Sequence, residues 1–187
     1  MVQTPTQALT LEEFLKLPDT EPASEYIDGK VIQKAMPQGQ HSVIQTELSA
    51  AINATLKKTQ TALALTELRC IFAGSAIVPD VSVFSWERIP RYDNGKIANV
   101  FHAAPDWDIE ILSPEQRQTK VVKKILRCLE YEMQMGWLID PEEETVFVYR
   151  SQQRTECFDK SDRDLPVPAF ASELRLTVGE LFAWLSP

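Results

Sequence analysis

The segment DWDIEI at 106–111 alternates carboxylates with Trp107, Ile109 and Ile111. Side chains two apart in an extended chain share a face. A strand here therefore carries Asp106, Asp108 and Glu110 side by side. Like charges repel, and carboxylates are seldom fully buried unless paired. Two arrangements satisfy this pattern: a solvated sheet edge, or acids gathered around a cation.

A second stretch of the same kind favours the cation. AIVPDVSVFS at 76–85 sets Asp80 inside an apolar, β-rich run, just after Pro79. Pro79 has no N–H and suits the first residue or the edge of a strand. A carboxylate embedded in such a run must be paired, protonated or metal-bound. Asp80 and Glu110 on adjacent strands can share one Mg²⁺, which takes oxygen ligands and keeps several waters. The plainer readings are a strand-start turn for Asp80 and the solvated face of an edge strand for Glu110.

A basic run follows the acidic strand: Arg117, Lys120, Lys123, Lys124 and Arg127, with no acid between them. Taken alone it reads as a solvated helix face. A lysine near a metal-bound water can also polarise it or stabilise charge on a phosphate. Glu110 lies about 10 Å back from the strand end at Ser113. A returning helix that starts near Thr119 brings Lys124 level with it, after a climb of roughly 8 Å. One that starts at Pro114 brings Lys120 level instead, and Ser113, Pro114 and Gln116 form a capping pattern for that start. Helical phase leaves Lys120, Lys123 and Lys124 open.

Around these segments the chain reads as helix 10–17, a hairpin over 24–34 turning at Asp28-Gly29, and an amphipathic helix 41–57. Strands 62–72 and 75–85, a loop 88–99, strand 106–112 and a helix within 114–134 follow. Strands 136–140, 145–150 and 154–158 and a short helix 177–185 close the chain. This order predicts an α/β or α+β fold, a mixed β-sheet flanked by helices with an N-terminal hairpin. With 187 residues, 44% of them hydrophobic, a single domain 1–187 is expected.

Several function classes are disfavoured. The chain has six glycines and neither G-x-G-x-x-G nor a P-loop. His41 and His102 lie too far apart for an H-E-x-x-H zinc helix, and no G-x-S-x-G marks a nucleophile. Cys70, Cys128 and Cys157 are odd in number and widely spaced, which argues against a disulfide framework and for a reducing cytoplasm. No leader or membrane span is visible in the sequence. A net charge of −8 excludes a uniformly basic nucleic-acid surface and leaves only a local patch.

The segments LTLEEFLKLPDTEPASEYIDGKVI, HSVIQTELSAAI, IVPDVSVFS, APDWDIEILSP, GWLIDPEEETVFVYR and the closing LPVPAF…LTVGELF, in this order, resemble the Uma-two group of bacterial proteins. The resemblance covers nearly the whole chain. It implies a restriction-endonuclease-like core with a modified PD-(D/E)XK motif, Mg²⁺ or Mn²⁺ as cofactor, DNA as substrate and a homodimer. Its metal-ligand positions fall on Asp80 and Glu110. Leu112 stands where an ordinary E-x-K motif has its lysine, and the family's lysine on the following helix matches Lys124. Glu25 matches a further acid of the site, and His41 a neighbouring histidine that is not a base. Two departures occur: Asp108 stands at a usually apolar position, and EMQMGW lacks a Glu and a Tyr found in the family. Both are read as divergence at the edge of the fold, and Asp106 as the strand's exposed start. Asp108 is left as either an acid behind the ligands or a surface charge. The implied function is a Mg²⁺-dependent endonuclease, and the rival reading is a nuclease fold kept as a binding or dimerisation module.

Overall fold

The computed structural model describes residues 9–114 and 116–186. Residues 1–8, on which part of the expectation of no leader rests, lie outside them. The elements are α1 (Leu11–Phe14), β1 (Ser24–Ile27), β2 (Lys30–Gln33), α2 (Gly39–Leu56), β3 (Ala62–Thr66), β4 (Cys70–Phe72), β5 (Ser75–Ile77) and β6 (Val81–Ser85). After a long loop come β7 (Trp107–Ile111), α3 (Gln118–Leu129), β8 (Met135–Asp140), β9 (Thr145–Tyr149), β10 (Glu156–Phe158) and α4 (Val178–Ala183).

The strands form two sheets. One runs β10-β9-β8-β7-β6-β3 and the other β2-β1-β5-β4. In the larger sheet β7 and β8 are parallel, and α3 is the crossover between them; the other pairs are antiparallel. The sheet is thus mixed and flanked by helices, as the element order predicts. The expected strands 62–72 and 75–85 each divide between the two sheets. Glu67 at φ 50° breaks the first, and Pro79-Asp80 separates β5 from β6 in the second. The Asp28-Gly29 turn closes the β1–β2 hairpin with both residues at positive φ, 52° and 73°, as a type I′ turn requires.

The larger sheet buries both faces. Trp107, Ile109 and Ile111 of β7 pack with Ile44, Leu48, Ile52 and Leu56 of α2. The i, i+4 spacing of those four residues makes one apolar stripe, and none is exposed to solvent. Each contributes roughly 1.5–3 kcal/mol by burial. The opposite face meets α3 through Val121, Ile125 and Cys128. Asp108 and Glu110 share that second face by strand alternation.

One rival reading of the acidic strand falls away and two expectations about it are corrected. β7 is an interior strand, flanked by β6 and β8, so Glu110 is not on an edge. Asp106 is 2% exposed: its carboxylate accepts from Arg88 Nη1 at 2.6 Å, Ser85 N at 2.8 Å and Ser85 Oγ at 3.0 Å. Those donors, from the turn after β6, compensate its charge away from water. Asp108 is fully buried and sits opposite Gly136 of β8, so neither departure lies at the edge of the fold.

Gly136 explains how α3 comes so close. A Cβ there would lie 2.4 Å from Ile125 Cγ2 and 3.3 Å from Met133 Cε. Gly136→Ala is expected to overpack the α3–β8 contact and destabilise by about 1–3 kcal/mol, read from urea unfolding midpoints. A neutral result would show that α3 has slack over the sheet.

Candidate active site

The β6–β7 register pairs Val81 with Ile109 and Ser82 with Asp108. Continued by one residue, it sets Asp80 opposite Glu110, and directly opposed residues have Cβ atoms about 4.5–5.5 Å apart. The end of β7 also holds Asp80 directly: Ile111 N donates to Asp80 Oδ2 at 2.7 Å. Val78 and Pro79 separate β5 from Asp80, which precedes β6.

Helix α3 begins at Gln118. Gln116 Oε1 does accept from Ser113 N, at 3.1 Å, but that turn is not the start of the helix. With this start the three lysines differ in burial. Lys120 and Lys123 are exposed, whereas Lys124 is buried. Its Nζ lies 2.8 Å from Glu25 Oε1 and 2.9 Å from Glu110 Oε1. Glu25, on β1, also accepts from Val78 N at 2.8 Å. Three segments far apart in sequence thus meet at one ammonium group. The basic run is not a uniform solvated face either, since Arg127 pairs with Asp28.

The structure adds three residues that the sequence reading missed. Lys34 Nζ lies 2.7 Å from Asp80 Oδ1 and 3.0 Å from Glu67 Oε2. Gln45 Nε2 donates to Glu67 Oε1 at 2.9 Å and to the Asp80 carbonyl at 2.8 Å. A signal for Lys34 was present. The Asp28-Gly29 hairpin sets Glu25 opposite Ile32, and Lys34, two residues on, shares that face. His41, at the start of α2, places Nε2 3.1 Å from Asp80 Oδ2.

The electrostatics sort the acids. Burial works against the charged form of Asp80. The His41 contact and the Lys34 ammonium outweigh it and hold the carboxyl below its usual range. Burial pushes Asp108 up to about 6, with Lys124 opposing. Burial also drives Glu110 well up, opposed by Lys124 and reinforced by the Asp108 charge. Burial alone would discharge Lys124, but Glu110 and Glu25 keep it protonated well above its ordinary range. Asp80 is thus held towards its anion, whereas burial favours the protonated forms of Asp108 and Glu110.

The donor set suits a hard cation. Glu110 Oε1, despite its ion-pair distance to Lys124, receives no aligned hydrogen bond, and both Asp108 oxygens also lack a donor. Carboxylate oxygens with uncommitted lone pairs are what Mg²⁺ takes, as one or two carboxylates completed by waters. Among the described residues no cluster of three or more His, Cys, Asp or Glu side chains is arranged to hold an ion. Both Asp80 oxygens are engaged, Oδ1 by Lys34 and Oδ2 by His41 and the Ile111 N–H, so an ion on Asp80 would have to compete with these partners. A groove of about 330 Å³ reaches Asp80, lined by Lys34, His41, Glu67, Ile111 and Ser113 among others. Glu110, 2% exposed, is not among the residues that line it.

Among the described residues no helix is long and apolar enough to cross a membrane. No protein of curated function matches the chain. Among solved structures, a crystal structure titled as a putative nuclease belonging to DUF820, from Anabaena variabilis ATCC 29413, is 64% identical. It superposes with a TM-score of 0.93, and the match covers 94% of this chain and 98% of that one. The Uma2 family model, described as "Putative restriction endonuclease", matches residues 11–179. That span takes in Glu25, Asp80, Glu110 and Lys124, and the chain belongs to the Uma2 family.

Proposed function

We propose that the protein is a Mg²⁺-dependent endonuclease that hydrolyses DNA phosphodiester bonds, with Mn²⁺ as an alternative ion. The observation that carries this reading is the Lys124 ammonium on Glu110, and it is supported by the β6–β7 register, which, continued one residue past Val81–Ile109, brings Asp80 towards Glu110. Family membership and the nuclease neighbour support it.

Asp80 and Glu110 would hold the ion; when bound, it would stabilise charge on the phosphate and lower the pKa of a coordinated water. The rest of the chemistry falls to the chain. Lys124 stays protonated, so it serves as a hydrogen-bond donor that orients water or stabilises a phosphate oxygen, not as a base. Glu25 fixes the ammonium from the other side. His41 and the Ile111 N–H fix Asp80. The groove beside Asp80 admits the phosphodiester. A homodimer, as the resemblance implies, would supply the local basic groove that an acidic chain lacks on average, in the reducing cytoplasm that the cysteine usage favours.

The test is nicking of supercoiled DNA. Wild type should cut with Mg²⁺ and stop in chelator, and Asp80→Ala should lose at least about a thousandfold in rate, the scale of removing a major electrostatic contribution. Equal cutting by Asp80→Ala would overturn the assignment. Binding of DNA without ion-dependent cutting would favour the binding-module reading instead.

A further inference from the structure

Glu110 is nearly sealed from solvent, and the groove beside Asp80 is lined by Asp80 and Lys34 but not by Glu110. Asp80 Oδ2 is engaged by His41 and the Ile111 N–H and Oδ1 by Lys34, so an ion bound by both acids competes with the Lys34 ammonium for Oδ1. We propose that Lys34 is a tethered cation that occupies Asp80 until the divalent ion arrives, and that Glu67 is the acceptor to which it then withdraws. This rests on the reading of Asp80 and Glu110 as the ion's ligands.

The two lysines of the site are not equivalent. Lys124 projects from α3 and is clamped between Glu25 and Glu110, side chains 7% and 2% exposed. Its departure would leave two buried acids without their cation, which is costly. Lys34 follows the short strand β2, and its side chain is 11% exposed. It already spans a buried acid, Asp80 at 4% exposure, and a solvated one, Glu67 at 42%. Moving wholly onto Glu67 needs only a change of side-chain torsions, because both Glu67 oxygens already lie 3.0 Å from Nζ. Asp80 would keep His41 Nε2 and the Ile111 N–H. Glu67 is itself held in place: Gln45 donates to it, and its backbone sits at φ 50°. A divalent ion carries twice the charge of the ammonium, so it wins Asp80 while Glu67 lowers the cost of displacing the lysine.

The experiment is Mn²⁺ titration calorimetry on wild type, Lys34→Gln, Glu67→Gln, Asp80→Asn and a surface control, Lys120→Gln. Thermal unfolding without metal checks that each variant is folded. Lys34→Gln should bind Mn²⁺ roughly tenfold more tightly, about 1.4 kcal/mol. Glu67→Gln should bind roughly threefold more weakly, Lys120→Gln should match wild type, and Asp80→Asn should give no heat. Removing any nearby positive charge raises cation affinity somewhat. A double-mutant cycle separates this from displacement: if Lys34 withdraws onto Glu67, the loss from Glu67→Gln should vanish in the Lys34→Gln background, whereas a general field effect persists there. Asp80-dependent binding with Lys34→Gln no tighter than wild type, or an unchanged Glu67→Gln loss in that background, would overturn the proposal and leave the ion site standing. No Asp80-dependent heat from any of these proteins would overturn the ion site and the proposal together. Heat from Lys34→Gln alone would be its strongest support.

Discussion

Lys124→Met is expected to destabilise the metal-free protein by about 3–5 kcal/mol and to abolish DNA cutting. The ammonium is buried, and it is the shared partner of Glu25 and Glu110. Methionine fills a similar volume, so packing survives and the loss is electrostatic. Glu25 would keep only the Val78 N–H. Breaking a buried pair by removing one partner leaves an uncompensated charge, whereas neutralising both partners is often close to neutral. The double variant Glu25→Gln/Lys124→Met should therefore recover most of the stability and none of the cutting. Equilibrium urea unfolding and plasmid nicking, run on the same preparations, separate the two effects. A single variant as stable as wild type would show that the buried ion pairs do not form in solution. A double variant that cuts DNA would remove Lys124 from the chemistry.

The second large effect has the opposite sign. Asp108→Asn is expected to stabilise the metal-free protein at pH 8 by about 3 kcal/mol, from a shift of roughly two pKa units at 1.36 kcal/mol each. Asp108 is fully buried, neither of its oxygens meets a donor, and burial lifts it to about 6. Its folded-state pKa thus lies above its unfolded value near 3.8. The folded state binds the proton more tightly, so this group's favourable share is complete below about pH 4 and is lost as pH rises through about 6. Asparagine cannot ionise, and its amide can donate to Glu110. The stability gap between variant and wild type should be small at pH 4 and open fully by pH 8, in chelator. A variant less stable than wild type at pH 8, or a gap that ignores pH, would mean that Asp108 has a partner not seen in this structure. Asp80 behaves oppositely: its lowered pKa adds stability above about pH 4 that is lost in acid.

The sequence made the main outline legible, and the failures have a common physical cause. Asp80 and Glu110 stood out because a carboxylate inside an apolar β run is costly anywhere else. The α2 stripe and the Asp28-Gly29 turn were equally plain, because local spacing and turn chemistry determine them. Alternation shows which side chains share a face but not what covers that face. Asp106 was misplaced for this reason: Arg88, 18 residues earlier, covers it. Asp108 and Gly136 looked like drift at the edge, yet they face each other across the two central strands, under Ile125. The choice among the lysines turned on the start of α3: the Ser113–Gln116 capping pattern supported an earlier start beside the one near Thr119, and the helix begins at Gln118. Lys34 required carrying the hairpin register one step past the strand end.

The central claim is that Asp80 and Glu110 are joint ligands of one divalent ion, and crystals soaked in Mn²⁺ test it most directly. An anomalous difference peak is expected within about 2.1 Å of an oxygen of each carboxylate, with Lys34 Nζ moved off Asp80. A peak at any other position, or none at saturating Mn²⁺ with Lys34 and Lys124 still on their acids, would contradict the account.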